Sequence, residues 1–326
     1  MPARPQPEAR AGAMYGGLNQ QMAPVLDPAG RFASSVATLS WVLFALGLAV
    51  LLIVVAAMWI AVRGGPAWRR RLASERTVVG LGVVFPAIVL TGLLVWGLTL
   101  TSGLTRPAAD AATVRITGQQ WWWRVAYLEG GQEAVVEANE LHIPTGRTVA
   151  VELEARDVIH SFWIPRLSGK LDMIPGRTNL LRLHADRPGV YRGQCAEYCG
   201  GAHALMAFTV IAHAPADYAA WLEARRRPAA PPADAAAAHG RRVFLAHDCS
   251  SCHTVRGLPA MGDLGPDLTH VGSRGSLAAG TLPNSEAGFG GWISGNQAIK
   301  PGARMPQYRM AGADLHALAV YLEGLK

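Results

Sequence analysis

The stretch "GQCAEYCGGAHALM", residues 193–206, places two cysteines, a histidine and a methionine close together. These donors are too soft for Mg²⁺ or Ca²⁺, which prefer oxygen ligands. Zinc accepts two cysteines and a histidine but has no use for a thioether. Copper in electron-transfer sites takes histidine, cysteine and a weak axial methionine. The stretch therefore predicts a copper site.

Two cysteines in one copper stretch, Cys195 and Cys199, indicate more than one metal ion, because a single copper needs a single cysteine. We expect two copper ions bridged by the two thiolates, with Met206 as the thioether ligand. The alternative is a disulfide between the two cysteines, with Met206 as an ordinary core residue.

Each of the two expected copper ions needs one imidazole. His203 lies within the stretch, and His160 ends the segment "VAVELEARDVIH", where it is placed to supply the second imidazole. His142 and His184 are weaker candidates, because they lie inside alternating segments and could be ordinary surface residues.

The sequence around the copper stretch has the pattern of a β domain. Short, often alternating segments such as "TVRITGQQWWWRVAYL" and "RTVAVELEARDVIHSFWI" are separated by glycine and proline turns. This pattern is typical of an antiparallel sandwich. We place this domain at residues 102–223.

Two long uncharged runs precede the β domain and predict transmembrane helices at residues 36–62 and 77–101. The loop between them, residues 63–76, contains five arginines, so the positive-inside rule places it in the cytoplasm. Both ends of the chain then lie on the periplasmic side. Residues 1–35 form an N-terminal periplasmic segment with no separate apolar run of a cleavable signal peptide.

The formal charge of +7 resides largely in this loop and in the arginines at 225–227. It therefore indicates membrane topology, and no basic patch interleaved with aromatic residues predicts nucleic-acid binding. Residues 224–234 are rich in proline and alanine and predict a semi-extended linker. Residues 235–326 carry helical patterns and form a small α domain.

The α domain contains "CSSCH", the attachment motif of c-type haem. Cys249 and Cys252 would form the thioethers, and His253 would be the proximal iron ligand. Met305 is the expected sixth ligand, because Met261 follows His253 too closely to reach the opposite face of the ring. Met310 is more simply a core residue at the start of the last helix.

Four segments together resemble subunit II of haem–copper cytochrome c oxidase: "GQQWWWRV", "DVIHSFWIP", "KLDMIPGRTN" and the copper stretch. The added "CSSCH", "GPDLTHVGSR" and "KPGARMP" resemble its caa3-type form, in which a cytochrome c domain is fused at the C-terminus. The resemblance implies a membrane-anchored multidomain chain. It would comprise a two-helix transmembrane hairpin, a cupredoxin-like Greek-key β-sandwich and an all-α class I cytochrome c domain.

The resemblance also implies roles for individual residues. The ligands of the dinuclear copper centre, CuA, would be His160, Cys195, Cys199, His203, Met206 and the backbone carbonyl of Glu197. The side chain of Glu197 would reach a Mg²⁺ shared with subunit I. Trp121 would be the electron entry point above CuA. The chain departs from many relatives at Val79, where they carry a glutamate at the mouth of a proton channel.

The implied function is electron entry into a respiratory oxidase of the bacterial inner membrane. Electrons would pass from a small periplasmic donor, such as a soluble cytochrome c, through haem c and CuA to subunit I, which holds haem a and CuB. Subunit III and membrane lipid are further expected partners. Two other functions stay open: a free-standing electron carrier for another reductase, and a non-redox module such as a copper chaperone or a quinol-oxidase subunit.

Overall fold

The computed structural model describes residues 25–105 and 113–326. Most of the expected N-terminal segment, up to residue 24, lies outside the described residues. Helix α1 spans Arg31–Arg63 and therefore begins before the predicted 36–62 span. A short helix α2, Pro66–Leu72, follows in the arginine-rich loop.

The second apolar run forms one continuous helical stretch of three parts: α3, Glu75–Val79, a wide π turn, Gly80–Val84, and α4, Phe85–Thr105. The π turn ends just before Pro86, which has no N–H to donate back into the helix. Both apolar stretches are long enough to cross a membrane, and their most apolar windows are not buried within the chain. Their side chains are therefore free to face lipid or other subunits.

The start of α1 is fastened to the β domain. The Ala29 N–H donates to the Arg166 carbonyl at 2.7 Å, and its own carbonyl accepts from the Asp186 N–H at 2.9 Å. At Gly30 a Cβ would lie 1.9 Å from the His184 carbonyl oxygen, so only glycine fits. These contacts fix the orientation of the β domain at the membrane end of α1.

The β domain is a sandwich of two five-stranded sheets with orders β3-β2-β1-β5-β8 and β4-β10-β9-β6-β7. The strands are β1 Val114–Gln119, β2 Trp122–Glu129, β3 Gln132–Ala138, β4 Glu140–Pro144, β5 Thr148–Ala155, β6 His160–Trp163, β7 Leu171–Met173, β8 Asn179–His184, β9 Gly189–Cys195 and β10 Ala207–His213. The expectation of a purely antiparallel sandwich is wrong for two pairs, since β1 pairs with β5 and β4 with β10 in parallel. Long connections that return to the same sheet allow these parallel pairs.

Three aromatic side chains form the core next to the copper stretch. Trp123 packs edge-on against Phe162 and Phe208, with ring centroids 5.6 and 5.1 Å away, and Phe162 stacks on Phe208 at 4.4 Å. At Gly193 a Cβ would lie 2.1 Å from the Phe208 ring. Trp123 also lies 6.2 Å from the His160 ring, so this core supports the expected ligand from below.

The segment after the sandwich is more ordered than a free tether. Helix α5, Pro215–Arg226, packs on the sandwich, and its Trp221 lies 5.2 Å from the Tyr127 ring. In the last turn of α5, the Arg225 carbonyl accepts a hydrogen bond from the Arg256 guanidinium of the C-terminal domain at 2.6 Å. The Ala229 N–H donates to the Arg256 carbonyl at 2.9 Å. The predicted linker, 224–234, thus begins within a helix and is bonded to the domain that follows.

Three helices enclose the core of the C-terminal domain: α6 Ala235–Ala246, α7 Glu286–Ile299 and α8 Gly312–Glu323. One face of α8 is apolar: Leu318 and Leu322 are buried, and Leu315 is partly buried against the same core. Helices α6 and α8 cross at Gly240, where a Cβ would lie 2.0 Å from the Ala317 carbonyl oxygen. Glycine is disfavoured inside a helix, so this close approach explains its presence.

We expect Gly240→Ala to destabilise the C-terminal domain. Packing the added methyl group against backbone costs about 1–3 kcal/mol of folding free energy. This cost exceeds the gain of about 1 kcal/mol from the better helix propensity of alanine. Gly290→Ala is the matched control, because it lies in helix α7 with open space around it. Denaturant unfolding followed by haem absorbance should show opposite signs for the two variants. A Gly240→Ala protein as stable as Gly290→Ala would contradict the crossing described here.

Candidate metal centres

Five side chains expected to bind copper converge at one end of the sandwich. His160, Cys195 and Cys199 bring their ligand atoms within 4.8 Å of one another. The Sγ atoms of the two cysteines lie 3.8 Å apart. His203 Nδ1 lies 3.5 Å from Cys199 Sγ, and Met206 Sδ lies 3.8 Å from the same sulfur. Both cysteines are free thiols, so the disulfide alternative is not what the structure contains.

Strand pairing brings the two ends of the copper stretch together. Cys195 ends β9 opposite Phe162 of β6. The Cys195 N–H donates to the Met206 carbonyl at 3.0 Å, which closes the base of the loop between them. Within that loop Gly200 has a φ of 110°, a conformation that favours glycine. The loop is therefore shaped by a backbone bond at its base and by Gly200 within it.

The charge balance of the two thiols fits a cation between them. Burial, together with the negative charge of Cys195, raises the pKa of Cys199 to about 12. Burial would also raise the pKa of Cys195, but the hydrogen bond with His160, the backbone hydrogen bonds with Glu197 and Ser161 and the charge of His160 together outweigh it and lower that pKa. The two thiols therefore differ in how readily they lose a proton. Two thiolates need added positive charge, which bound copper ions would supply as protons leave.

Asp157 orients the His160 ring. Its Oδ1 lies 2.9 Å from His160 Nε2, while His160 Nδ1 faces Cys195 Sγ at 3.9 Å. The same carboxylate accepts a hydrogen bond from the Gln120 N–H at 2.8 Å. A carboxylate on the far nitrogen fixes the tautomer of a metal-binding histidine and leaves the other nitrogen free for the metal. Sequence reasoning missed Asp157, although it lies three residues before His160.

Trp121 contacts the copper stretch directly. Its indole Nε1 donates to the Cys199 carbonyl at 3.0 Å, and the Gln120 side chain donates to the same oxygen at 2.8 Å. Trp123 is fully buried, as a core residue would be. The Glu197 carbonyl oxygen lies 3.2 Å from Cys195 Sγ, which suits a backbone ligand at this edge.

The two weaker histidine candidates lie away from the cysteines. His184 faces Asp186 at 3.1 Å. His142 Nδ1 lies 2.8 Å from His213 Nε2, and its ring stacks on Trp221 with 3.9 Å between centroids. The choice of His160 over these two residues agrees with the geometry.

The His142 pair predicts acid sensitivity of the sandwich. Burial lowers the pKa of His142 to about 3 and of His213 to about 4, so both stay neutral when folded. In the unfolded chain they titrate near 6.5, so their contribution is present above that pH and is lost as pH falls through the folded pKa values. Burial raises the pKa of Glu140 to about 7. This shift acts on stability in the opposite direction, because it favours the folded state as the pH falls.

We therefore expect thermal stability to fall between pH 7 and pH 4, and His142→Gln to flatten this dependence. The control is His316→Gln, a change at an exposed histidine. Melting curves recorded across this pH range check the prediction. Equal slopes for His142→Gln and the wild-type chain would show that the pair does not control acid sensitivity.

The C-x-x-C-H motif forms a tight turn with its histidine turned inward. A short 3₁₀ turn spans Cys249–Ser251, and His253 Nδ1 donates to the Pro266 carbonyl at 2.7 Å. Burial lowers the pKa of His253, so the ring is neutral and its Nε2 is available. At Gly265 a Cβ would lie 2.5 Å from the His253 ring. These features fit a proximal haem ligand.

The methionines differ in their suitability as the sixth ligand. Met261 is 87% exposed. Met305 and Met310 are both partly buried against the core of the C-terminal domain. The carbonyl of Met305 accepts from the buried side chain of Asn296 at 2.9 Å, which holds its loop in place. Met305 as the sixth ligand stays a prediction.

Comparison with known protein families agrees with this two-part architecture. Residues 126–213 match the family described as cytochrome c oxidase subunit II, periplasmic domain. Residues 237–326 match the cytochrome c family. The first region contains all the expected copper ligands, and the second contains all the expected haem ligands.

Individual relatives carry the same name. The chain is 42% identical to "Cytochrome c oxidase subunit 2" of Alkalihalophilus pseudofirmus over 65% of this chain and 61% of that protein. It thus spans less than two thirds of that relative. It is 30% identical to the protein of that name from Arabidopsis thaliana, over 53% of this chain and 78% of the relative.

A solved structure is also similar: the periplasmic domain of subunit II of cytochrome oxidase from Bradyrhizobium japonicum. It is 32% identical, with a TM-score of 0.34, over 37% of this chain and 96% of that one. The copper-type ligand cluster, the haem attachment motif and the two family matches lead to one conclusion. The chain belongs to the cytochrome c oxidase subunit II family, in the form that carries a fused C-terminal cytochrome c domain.

Proposed function

We propose that the chain is the electron-entry subunit of a respiratory haem–copper oxidase. It receives electrons at a c-type haem in its own C-terminal domain, passes them to a dinuclear CuA centre and then to subunit I, where O₂ is reduced to water. One observation carries the proposal. The C-terminal domain packs on Trp121, whose indole donates to the Cys199 carbonyl within the copper cluster.

The residues fit both metal groups. His160, Cys195, Cys199, His203, Met206 and the carbonyl of Glu197 would hold CuA, and Cys249, Cys252, His253 and Met305 would hold haem c. When bound, each group accepts and releases one electron. The chain's contribution is to fix its ligands before and after that change. Asp157 holds the His160 ring, and the Cys195–Met206 backbone bond holds the loop.

Burial keeps water away from the copper ligands. Cys195, Cys199 and Met206 are all buried, and His160 is fully buried. Charge on a group in such surroundings is compensated by fixed dipoles, with little reorganisation of solvent. Trp121 touches both the copper stretch and the haem domain, so it is our candidate for the entry point of electrons.

Further parts of the proposal concern partners. Glu197, half-buried beside Cys195, would reach a Mg²⁺ at the boundary with subunit I. Subunit I and subunit III would cover part of the exposed apolar helices, and lipid the rest. A soluble periplasmic donor such as a cytochrome c would reduce the haem. The arginine-rich loop supports a cytoplasmic location for residues 63–76 and a periplasmic one for both soluble domains.

Co-purification tests this function. The detergent-extracted chain should bring down a haem-a protein and support O₂ uptake when a reduced cytochrome c is added. A chain that carries haem c and copper but brings down no haem-a protein would instead be a carrier for another reductase. A chain without c-type absorption bands, or with about one copper, would be a non-redox module.

A further inference from the structure

One short segment of the haem domain contacts the copper end of the sandwich. Residues 300–304, which we name the latch segment, directly precede Met305. Lys300 begins this segment and is 3% exposed. A lysine so deeply buried is unusual, because its ammonium must leave water. Its surroundings therefore need an explanation.

The Lys300 ammonium is held by three backbone carbonyls. Its Nζ donates to Trp121 O at 2.6 Å, to Leu205 O at 2.9 Å and to Ala278 O at 3.1 Å. The first two acceptors lie in the sandwich, and the third lies in the haem domain. An ammonium has three N–H donors, so the three carbonyls match its full capacity.

Two of these acceptors belong to the surroundings of the expected copper ligands. Leu205 directly precedes Met206, and Trp121 donates through its indole to the Cys199 carbonyl. Lys300 therefore bonds the loop itself at Leu205 and also bonds Trp121, which contacts the loop at Cys199. Charge-assisted hydrogen bonds of this kind are about twice as strong as neutral ones.

The rest of the latch segment lies on the same face. Gly302 has a φ of 83°, and a Cβ there would lie 3.0 Å from the Trp121 ring. The Arg304 guanidinium donates to Asp157 Oδ2 at 3.0 Å and to the Gln120 side chain at 3.3 Å. Asp157 is the residue that orients His160, so Arg304 contacts the support of an expected copper ligand.

Hydrogen bonds within the haem domain stiffen the latch segment. The Gln297 side chain donates to the Ala303 carbonyl at 2.6 Å and accepts from the Gly302 N–H at 3.1 Å. Asn296 donates to the Met305 carbonyl. The latch segment leads directly into Met305, the expected iron ligand. The same rigid segment thus contacts the copper end.

We propose that Lys300, assisted by Arg304, is a positioning residue that locks the haem domain onto the copper face, so that electrons cross a fixed interface and not a swinging tether. This inference rests on the proposed route from haem to copper. It assigns to the latch segment a role separate from metal binding. Lys300 acts through the carbonyls of Trp121 and Leu205 and does not touch a metal ligand itself.

A second polar contact lies elsewhere on the interface. The Arg274 guanidinium of the haem domain faces Glu137 of β3 at 3.3 Å, and the Gly275 N–H donates to the Glu140 side chain at 2.7 Å. These contacts remain when Lys300 is changed. We therefore expect loss of Lys300 to loosen the copper end of the interface without releasing the domain.

The test uses the full chain in detergent and the variant Lys300→Met, which keeps the unbranched side chain, one atom shorter, and removes its charge. The reporter is amide hydrogen exchange at Ala207, whose N–H donates across the interface to Ala279 O. We expect on the order of tenfold faster exchange there, because three desolvated carbonyls lose their donor. Exchange at Ile116, in the sandwich core, should not change. Lys170→Met, at an exposed lysine, is the matched control.

A second measurement distinguishes a positioning role of Lys300 from a merely structural one. Haem-to-copper transfer after a reducing pulse should be slower in Lys300→Met, while the haem midpoint potential and the rate of haem reduction by an external donor stay unchanged. If Lys300→Met fails to fold, the same measurements are made on Arg304→Gln, because the Arg304 side chain is largely exposed. Faster exchange at the Ala207 amide is again expected. Exchange and transfer equal to wild type in a folded variant would overturn the proposal.

Failure of the proposed function would look different. It would appear in the wild-type chain itself, as missing haem or copper absorption or as no O₂ uptake with a reduced donor. The exchange experiment needs neither activity nor an oxidase partner. The two claims can therefore fail independently.

Discussion

Replacing Cys195 by serine is expected to remove both copper ions from the purified chain while its haem content stays unchanged. Cys195 Sγ lies 3.8 Å from Cys199 Sγ and 3.9 Å from His160 Nδ1, so it is placed to contact both expected metal positions. A serine oxygen is a harder donor and a poor substitute for a bridging thiolate. Elemental analysis for copper, with haem absorbance on the same sample, measures the effect.

The control for the Cys195 variant is the reciprocal change in the other domain. Cys252→Ser should lower covalent haem and leave about two copper ions per chain. Retention of a full copper complement in Cys195→Ser would mean that this sulfur does not bridge the metals. A single remaining copper would indicate separate sites and not one dinuclear centre.

Replacing Met305 by alanine is expected to convert the haem to a form that lacks its sixth protein ligand. Met305 is partly buried against the haem-domain core, and Asn296 holds its backbone. A methionine ligand raises the reduction potential of a c-type haem, so its loss should lower the potential and open the iron to small added ligands. Absorption spectra with and without added azide, together with a redox titration, check this result.

Met310→Ala is the matched control for the sixth ligand, because Met310 is the other partly buried methionine near this loop. It should cost some stability and leave the spectrum and the potential unchanged. If Met310→Ala gives the altered spectrum and Met305→Ala does not, the ligand assignment must be reversed. The copper content should not change in either variant.

Much of the copper site could be predicted from the sequence, because its donors are close in the chain and chemically distinctive. Cys195, Cys199, His203 and Met206 lie within one loop, and few metals want that set. His160 was expected at the end of the strand that begins near Thr148; that strand ends at Ala155 and His160 begins β6, but the structure still brings it to the cysteines. The disulfide alternative could be excluded only by the structure.

The supporting residues could not be predicted in the same way. Asp157, Lys300 and Arg304 act through contacts between segments far apart in the chain, and a lysine or an aspartate alone has no distinctive spacing. In "KPGARMP" the sequence pattern points to Met305 alone and gives Lys300 no role. Its burial depends on the packing of two domains, which local patterns do not encode.

Sequence reasoning also missed helices α5 and α7, besides the short α2 in the arginine-rich loop. Helix α7 contains four glycines after its first two residues, and these hide its helical pattern. The sequence does carry one helix signal there, because the Ser285 side chain caps the helix by accepting from the Gly288 N–H. Helix α5 begins with Pro215, a favourable first helical residue, but it lies next to the proline-rich linker. The parallel strand pairs were missed because period-two alternation is the same in both directions.

The most direct test of the central claim is a combined metal count and electron paramagnetic resonance spectrum of the purified wild-type chain. We predict about two copper ions per chain, with one unpaired electron whose hyperfine pattern is that of two equivalent copper nuclei. A spectrum of one isolated copper ion, or a Cys195–Cys199 disulfide with no bound copper, would contradict the account.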